Sequence, residues 1–434
     1  MGTPSPFWSI LAGVALYLVI RAVLLIRLAD RAESNGLPLL RVLTKADGEH
    51  YLRIAREGYL PRALWPAPGE LHATLPDQVF FPGYPILIRA VARLLAPWNP
   101  STESVALGVS MLAGTLAAAA IASWAHRRAG RGAAVALVGL WALWPSSVVL
   151  SMAYSESLLV LAAAVALWAI DRQRWLTAAL AAAAAGAIRP VGAGVVAALT
   201  VALAGYLAGR PWWVLPGVRP SRAARDARGA RGARGGRHGA REPNRWRVAV
   251  SVPAAAALSV VGLGLSLGHI ARDTGRWDGW LWLQSTWWNS GSDGGRTSWR
   301  AVTLSSGLNN DLGLVVAGSI VVAVAGALWS LLRHRLVGWP ALAYVAVCLV
   351  LGLSGHNYVL SKPRFLLVAF PLLLPAAAAL AATWRLALLD GRHLLLRWLL
   401  RGPVRISLLA AALLVAVASI DWQVGLVVQM KRSI

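Results

Sequence analysis

Long apolar runs constrain this chain more than any other feature of its sequence. Alanine, leucine and valine follow one another without amphipathic spacing, and short polar joints separate the runs along the whole chain. The sequence is 57% hydrophobic and only 14% charged. Because repeated runs of this kind are typical of helices that span a bilayer, the sequence predicts an all-α polytopic membrane protein with one membrane domain over residues 1–434.

Eleven of these runs are candidate transmembrane helices. The first lacks a small-residue cleavage site, which favours a transmembrane helix over a removed signal peptide. The fifth is shorter than the roughly 20 residues of a straight span and ends at Arg189-Pro190, so a half-helix or a re-entrant element fits it equally well. The runs cover residues 7–26, 105–124, 133–150, 153–170, 175–188, 191–208, 248–268, 312–332, 337–354, 365–383 and 404–420.

The joints between the runs predict the orientation. Alternate joints are rich in arginine, as the positive-inside rule requires of cytoplasmic loops. The N-terminus is then cytoplasmic, and the large loop 27–104 and the loop 269–311 are extracytoplasmic. The inverted orientation stays open, because the first loop also carries basic residues and long loops translocate largely regardless of charge. The arginine-rich joints are 125–132, 171–174, 209–247, 333–336 and 384–403.

The same joints account for the formal net charge of +24. Residues 209–247 repeat Ala-Arg-Gly without apolar periodicity, which predicts a disordered cytoplasmic linker. RNA and anionic lipid head groups both suit such a tract; the position beside a membrane favours the lipid, and we expect no nucleic-acid partner. Cys348 is the single cysteine, so the sequence offers no disulfide framework and no thiolate metal site.

The first loop contains two predicted helices. Residues 47–58 have Asp47 as a candidate N-cap and Gly58 as a stop, and residues 86–95 have the spacing of an interfacial amphipathic helix. Helices of this kind can form a roof over a cavity. Asp47 fits a helix cap, but with Glu49 and His50 close by it also fits a base that deprotonates an acceptor hydroxyl.

Three later motifs place polar residues at predicted helix ends. Tyr154 and Glu156 lie at a tight turn, where Glu156 suits either the helix dipole or a polar cavity. Arg189 lies at a predicted helix break and suits either a phosphate or an interfacial position. His356, Lys362 and Arg364 precede another helix.

The loop 269–311 is rich in tryptophan. Its rings suit stacking against sugars, and they suit an aromatic belt at the level of the head groups equally well. These residues are Trp277, Trp280, Trp282, Trp287, Trp288 and Trp299.

Five sequence motifs follow one another in a fixed order: DGEHYLRIAREGY, FFPGYP, AYSESLL, AIRPVG and KPRFLLVAFPLLLP. The sequence has no P-loop and no G-x-G-x-x-G motif, so nothing in it indicates a nucleotide site. The five motifs resemble those of the PIG-V type of mannosyltransferases, and the resemblance extends from about residue 45 to residue 375. Two positions depart from that pattern: Ala46 replaces the aromatic residue before the acid, and Pro190 replaces a serine.

The resemblance implies a GT-C glycosyltransferase fold with an extracytoplasmic active site and a polyprenyl-phosphate-linked mannose as donor. It implies that Asp47 is the general base of an inverting transfer. By the same resemblance, His50, Glu156, Arg189 and Arg364 surround the donor phosphate and the acceptor.

We add Glu49, Tyr154, His356 and Lys362 as candidate substrate-binding residues. No cofactor is implied, although a divalent ion at Asp47 and Glu49 stays open. The arginine-rich and alanine-rich composition is typical of a bacterial, actinobacterial-type sequence in a plasma membrane, so we expect a lipid-linked or cell-envelope glycan as acceptor rather than a eukaryotic one. The alternative is a lipid or glycolipid transporter, whose translocation path would contain the same buried charges.

Overall fold

The fold is almost entirely helical. The computed structural model describes residues 7–67, 75–209, 245–303, 310–356, 358–389, 410 and 413–428. Within these residues the only extended pairing is one isolated antiparallel bridge between Ser292 and Gly355. The predicted all-α class is therefore confirmed for the described part of the chain.

The described helices, numbered in chain order, are α1 (Phe7–Glu33), α2 (Leu39–Thr44), α3 (Asp47–Glu57), α4 (Gly83–Leu94), α5 (Thr102–Ala142), α6 (Glu156–Ile170), α7 (Trp175–Ile188), α8 (Ala193–Leu207), α9 (Arg245–Thr274), α10 (Gly279–Thr286), α11 (Arg296–Thr303), α12 (Asn310–Leu332), α13 (His334–Val337), α14 (Trp339–Ser354), α15 (Lys362–Leu367), α16 (Leu374–Leu389) and α17 (Leu413–Val428).

Five of these helices are long and apolar enough to cross a membrane: α1, α5, α8 with its preceding turn, α9 and α12. A sixth span is possible if α15 and α16 act as one bent element. Four further apolar helices, α6, α7, α14 and α17, are shorter. The chain is thus a multi-pass membrane protein, while the predicted count of eleven spanning helices is not confirmed.

Two predicted spans differ in the structure for local reasons. Helix α5 is kinked at Gly130, inside the predicted joint 125–132, where a φ of 83° and a ψ of −178° suit glycine alone. The run 133–150 remains in α5 only as far as Ala142, and a 3₁₀ turn covers Ser147–Ser151. The run 365–383 is not one helix, because the chain bends by 77° between α15 and α16. Pro371 lies at this bend and cannot supply a backbone donor to a continuous helix.

Glycine residues let helices α7 and α9 approach each other closely. A Cβ on Gly262 of α9 would lie 1.8 Å from the carbonyl oxygen of Ala183 in α7, and one on Gly186 would lie 2.7 Å from the backbone nitrogen of Leu263. The two backbones are therefore in direct contact. Small-residue contacts of this kind are a main source of helix association in membranes.

The predicted arginine-rich joints meet at one end of the bundle. Arg128 donates from Nε to Asp171 at 2.8 Å and from Nη1 to the carbonyl oxygen of Leu336 at 3.0 Å. Three of the predicted joints, 125–132, 171–174 and 333–336, are thereby in contact. The linker 209–247 lies almost wholly outside the described residues, which resume at the start of α9.

The helices predicted in the first loop are present as α3 and α4. Helix α3 ends where Gly58 adopts a φ of 92°, as predicted. Its start differs from the prediction, because Ala46 rather than Asp47 occupies the N-cap position and makes no side-chain cap. Asp47 is thus the first residue of the helix, and its carboxylate bonds elsewhere.

Candidate active site

Asp47 lies at the N-terminus of α3 and turns its carboxylate away from its own helix. Its Oδ2 accepts a hydrogen bond from Nη2 of Arg364, which is 317 positions further along the chain. The Asp47 side chain is 12% exposed and that of Arg364 is 1% exposed. The ion pair is therefore largely removed from water, where charge interactions are stronger than at a surface.

The pair continues into a chain of alternating charges. Arg364 also donates from Nε to Oε1 of Glu156 at 2.5 Å, and the same oxygen accepts a hydrogen bond from Arg189. Glu156 is 1% exposed, and its Oε2 has no hydrogen-bond partner among the described residues. Two carboxylates and two guanidinium groups thus form one network without net charge.

Helix ends and breaks position the charged residues of this network. Glu156 begins α6, so its carboxylate lies at the positive end of the helix dipole. Arg189 lies in extended backbone between α7 and α8, with φ −157° and ψ 155°. Arg364 lies in the short helix α15, directly after Pro363.

Glycines fix the break that carries Arg189. A Cβ on Gly192 would lie 2.2 Å from the carbonyl oxygen of Ala185, so the chain can turn back on α7 only with glycine there. A Cβ on Gly83 would lie 2.7 Å from the carbonyl oxygen of Ala187. The FFPGYP motif therefore packs directly against the residues that precede Arg189.

The ring of Tyr154 packs against the guanidinium group of Arg364. Its ring centroid lies 4.5 Å from the Arg364 guanidinium carbon, and the tyrosine is fully buried. Tyr154 does not line the cavity described below. Its place indicates that it orients the arginine rather than contacting a ligand.

Tyr51 is a site residue that the sequence argument did not select. It lies one turn after Asp47 on the same face of α3, and its hydroxyl is 2.8 Å from Oγ of Ser155. Burial raises the pKa of Tyr51 to about 12, so its phenol stays protonated. The i, i+4 spacing from Asp47 was the available signal for this residue.

His50 faces a different partner from the one expected. Its Nδ1 lies 2.6 Å from Oδ1 of Asp77, a fully buried residue that also accepts a hydrogen bond from Nε of Arg53 at 2.8 Å. The imidazole stacks on Phe80 with ring centroids 4.8 Å apart. His50 does not line the cavity, although Phe80 does.

Glu49 lies outside the site. It is exposed on α3, between Asp47 and His50 in sequence, and it does not line the cavity. Asp77, which bonds to His50, belongs to none of the five sequence motifs. The structure thus brings Asp47 together with Glu156, Arg189 and Arg364, and separates it from Glu49.

His356 lies just after the C-terminal end of α14, and Lys362, the first residue of α15, directs its ammonium group back to that end. The backbone N–H of Gly291 donates to Nδ1 of His356 at 3.0 Å, which leaves Nε2 to carry the proton of the neutral ring. Nζ of Lys362 donates to the carbonyl oxygens of Gly352 at 3.3 Å and Gly355. Lys362 therefore satisfies carbonyls at a helix end, and it belongs to none of the ion pairs among the described residues.

One cavity of about 610 Å³ connects these groups. Its polar wall contains six of the predicted site residues: Asp47, Glu156, Arg189, His356, Lys362 and Arg364. Side chains of the shorter helices α6, α7, α14 and α15 and of the turns after α7 and α15 form an apolar wall: Leu159, Ile188, Val191, Leu351, Phe365 and Val368. The cavity can therefore hold an anionic group next to a hydrocarbon chain.

Asp47 is held in its charged form. Burial raises the pKa of this carboxyl, but the Arg364 and Arg189 guanidinium groups together outweigh burial and leave the pKa below its ordinary value. Within the described ranges, no three His, Cys, Asp or Glu side chains come together as a metal-binding group. The site is thus built from ion pairs.

No protein-family model and no curated protein sequence matches the chain. Among solved structures, the chain is similar to an archaeal oligosaccharyltransferase, AglB from Archaeoglobus fulgidus, in complex with an inhibitory peptide and a dolichol-phosphate. The TM-score is 0.49 at 14% identity, over 94% of this chain and 56% of that one. The chain thus spans little more than half the length of that protein. At this score the likeness assigns neither activity nor substrate.

The fold and the site together define a class. The chain is an all-α, multi-pass membrane protein with a buried network of ion pairs on one wall of a partly apolar cavity.

Proposed function

We propose that the chain is a membrane glycosyltransferase of the GT-C class that transfers mannose from polyprenyl-phosphate mannose to a hydroxyl of a lipid-linked or cell-envelope glycan. Asp47 is the general base, and the reaction inverts the anomeric carbon. The assignment to the PIG-V type rests on the resemblance of the five motifs. The proposed roles of the residues rest on the charged and apolar groups that line the cavity.

One observation carries the proposal: all five motifs contribute residues to one cavity. Phe80 and Phe81 of the second motif line it together with Asp47, Glu156, Arg189 and Arg364 of the other four. These residues come from helices that are far apart in sequence. A scaffold role would not require acidic and basic groups to meet at the ends of so many elements.

The reaction needs a base, a cationic clamp and a place for the lipid. Asp47 takes the proton of the acceptor hydroxyl while the oxygen of that hydroxyl attacks the anomeric carbon of the donor mannose. The bond from that carbon to the phosphate oxygen breaks on the opposite face, and polyprenyl phosphate leaves. Arg189 and Arg364 stabilise the charge that develops on the leaving phosphate. The apolar wall holds the first units of the polyprenyl chain.

Charge balance assigns a task to Lys362. The four charges of the network cancel, so a phosphodiester would add an uncompensated negative charge to a buried site. Lys362 lines the same cavity and donates its hydrogen bonds to carbonyl oxygens. Asp293 is the acid whose charge acts on it, and the Asp293 carboxylate is already bonded to Gly295 and Thr297. The ammonium group of Lys362 supplies the missing positive charge.

Donor binding also prepares the base. In the free protein Arg364 holds Asp47 as a weak base. A phosphate that draws Arg364 toward itself weakens this pair, and the pKa of Asp47 then rises because the residue remains buried. The base therefore becomes stronger only when a donor is bound.

The proposed setting is a bacterial plasma membrane with the cavity on the extracytoplasmic side. The arginine-rich joints that meet around Arg128 support this orientation, because such joints face the cytoplasm in most membrane proteins.

A transfer assay tests the proposal. Membranes that contain the protein, given labelled polyprenyl-phosphate mannose, should form a mannosylated product that disappears with Asp47→Asn. Glu57→Gln is the matched control, because Glu57 is an exposed carboxylate on the same helix. If wild-type membranes form no product with any polyprenyl-phosphate sugar, the proposal fails. Lipid translocation without transfer would instead indicate the transporter alternative.

A further inference from the structure

The cavity has a third wall, which the donor chemistry does not use. Helix α10 and the residues that follow it contribute Trp280, Trp282, Gln284, Ser285 and Trp288 to the lining. We call this surface the aromatic wall. The same cavity reaches Asp47, so a group seated on the aromatic wall shares a cavity with the proposed base.

The indole nitrogens of two tryptophans of the aromatic wall, Trp280 and Trp288, bind protein rather than facing outward. Nε1 of Trp280 donates to the carbonyl oxygen of Val79 at 3.3 Å, and Nε1 of Trp288 donates to that of Pro76 at 3.1 Å. Tryptophans of an aromatic belt direct their polar edge to the head groups and water. These bonds therefore favour a fixed recognition surface at Trp280 and Trp288.

Further contacts hold the rings in place. Trp282 meets the edge of Trp287 with centroids 4.9 Å apart, and Nε1 of Trp287 donates to the carbonyl oxygen of Pro66 at 3.0 Å. His50, fixed by Asp77, meets Trp288 edge to face at 5.1 Å. The Asp77–His50 pair thus packs against the wall at Trp288, although His50 itself does not line the cavity.

Trp277 is a contrasting case in the same loop. It is 92% exposed and does not line the cavity. An exposed ring of this kind suits the membrane interface. The structure therefore separates the exposed Trp277 from the tryptophans that line the cavity.

The chemistry of the wall matches a sugar ring. The face of an indole is electron-rich and packs well against the weakly positive C–H face of a pyranose, while amide and hydroxyl groups at the ring edge bond its hydroxyls. Gln284 and Ser285 lie on the same helix as Trp280 and Trp282. The Ser285 hydroxyl already donates to the carbonyl oxygen of Trp282 at 3.1 Å and can still accept a hydrogen bond. A plain alkyl alcohol would leave the amide of Gln284 unused.

We propose that the aromatic wall is a saccharide subsite that holds the sugar whose hydroxyl accepts the transferred residue. The inference rests on the proposed function, because only a transferase has an acceptor to place there. Trp282 provides the stacking face, and Gln284 with Ser285 selects the hydroxyl pattern. The acceptor is then recognised through its terminal sugar rather than through a lipid or a peptide.

The test compares three acceptor chemistries with the full-length protein in nanodiscs: hexyl α-mannopyranoside, hexanol and a threonine-containing peptide. The glycoside should accept mannose best. Trp282→Ala should raise its KM by about tenfold or more with kcat changed by less than about threefold, as expected for loss of one stacking contact. Trp282→Phe should restore most of the affinity, and Trp277→Ala should leave KM unchanged.

Two results separate the failure of this inference from the failure of the function. If hexanol or the peptide accepts as well as the glycoside, or if Trp282→Ala leaves KM unchanged, the enzyme stands and the saccharide subsite is wrong. If no acceptor is used, the proposed function fails, and saturation-transfer NMR with hexyl α-mannopyranoside decides the subsite alone. A glycoside signal that is lost in Trp282→Ala supports it, and no signal in the wild type overturns it.

Discussion

Lys362 is the residue at which the charge argument can be tested most sharply. The residue is 1% exposed and lines the cavity. It makes no ion pair within 4 Å among the described residues, and Asp293, the acid whose charge acts on it, is itself bonded to Gly295 and Thr297. Asp47, Glu156, Arg189 and Arg364 neutralise one another. The account therefore makes Lys362 the counter-charge of the donor phosphate. Lys362→Met removes that charge while keeping a long side chain.

The expected magnitude follows from the kind of bond that is lost. A hydrogen bond to a charged group contributes about 1.5–3 kcal/mol, which corresponds to a loss of about ten- to a hundredfold in affinity for polyprenyl phosphate. Asp47→Asn should act in the opposite direction, because it removes a negative charge next to the phosphate. The two variants thus separate a charge effect from general damage to the site.

Equilibrium binding of labelled polyprenyl phosphate to the purified protein in nanodiscs measures both effects. Lys362 also bonds the carbonyl oxygens of Gly352 and Gly355, so thermal unfolding of each variant is the control for a weakened end of α14. The reasoning is refuted if a folded Lys362→Met variant binds polyprenyl phosphate within twofold of the wild type. It is also refuted if Asp47→Asn binds more weakly than Lys362→Met.

Two further predictions follow. Arg364 lowers the pKa of Asp47 in the free protein, and a bound donor draws Arg364 away. The acid limb of the pH profile of kcat should therefore lie at higher pH than the acid limb of kcat/KM for the donor, and coincident limbs would contradict this coupling. Gly192→Ala should lower the thermal unfolding temperature and abolish transfer, since its Cβ would lie 2.2 Å from the carbonyl oxygen of Ala185 and overpacking costs about 1–3 kcal/mol. Gly268→Ala, whose Cβ would meet nothing within 4 Å, is the matched control, and equal unfolding temperatures in the two variants would show that the turn tolerates a side chain.

Hydropathy predicted the membrane class and most helix positions, because the burial of apolar runs in lipid depends on local composition. Run 175–188 coincides with α7, and Arg189 lies at the predicted break. Hydropathy placed the joint 125–132 around the kink at Gly130, but it could not predict the end of α5 at Ala142 or the bend after α15. Those features depend on backbone conformation and on helix contacts that apolar periodicity does not record.

The sequence predicted those site residues that lie at the end or the break of a helix. Glu156, Arg189 and Arg364 meet because each lies at the end or break of an element, and spans that alternate in direction bring such ends to one side. Position along α3 was not enough to predict the partner of His50. Its orientation depends on Asp77, a single buried acid in a stretch without a motif.

Tryptophan count alone could not decide between an aromatic belt and a recognition surface. The indole N–H partners distinguish the anchored rings from the exposed one, and these partners are backbone carbonyls of the first loop. Such contacts join residues about two hundred positions apart, which no local pattern encodes. The sequence therefore predicted tryptophans that suit either stacking or anchoring, and the tertiary contacts distinguish the rings that line the cavity from the exposed one.

The central claim is that Asp47 removes the proton of the acceptor while the neighbouring cations hold the donor phosphate. Single-turnover transfer, with protein loaded with polyprenyl-phosphate mannose and then mixed with acceptor, tests it most directly. The account predicts that Asp47→Asn binds the donor at least as well as the wild type and transfers mannose at least about a hundredfold more slowly, the usual minimum contribution of a general base. Transfer by donor-loaded Asp47→Asn at the wild-type rate would contradict it.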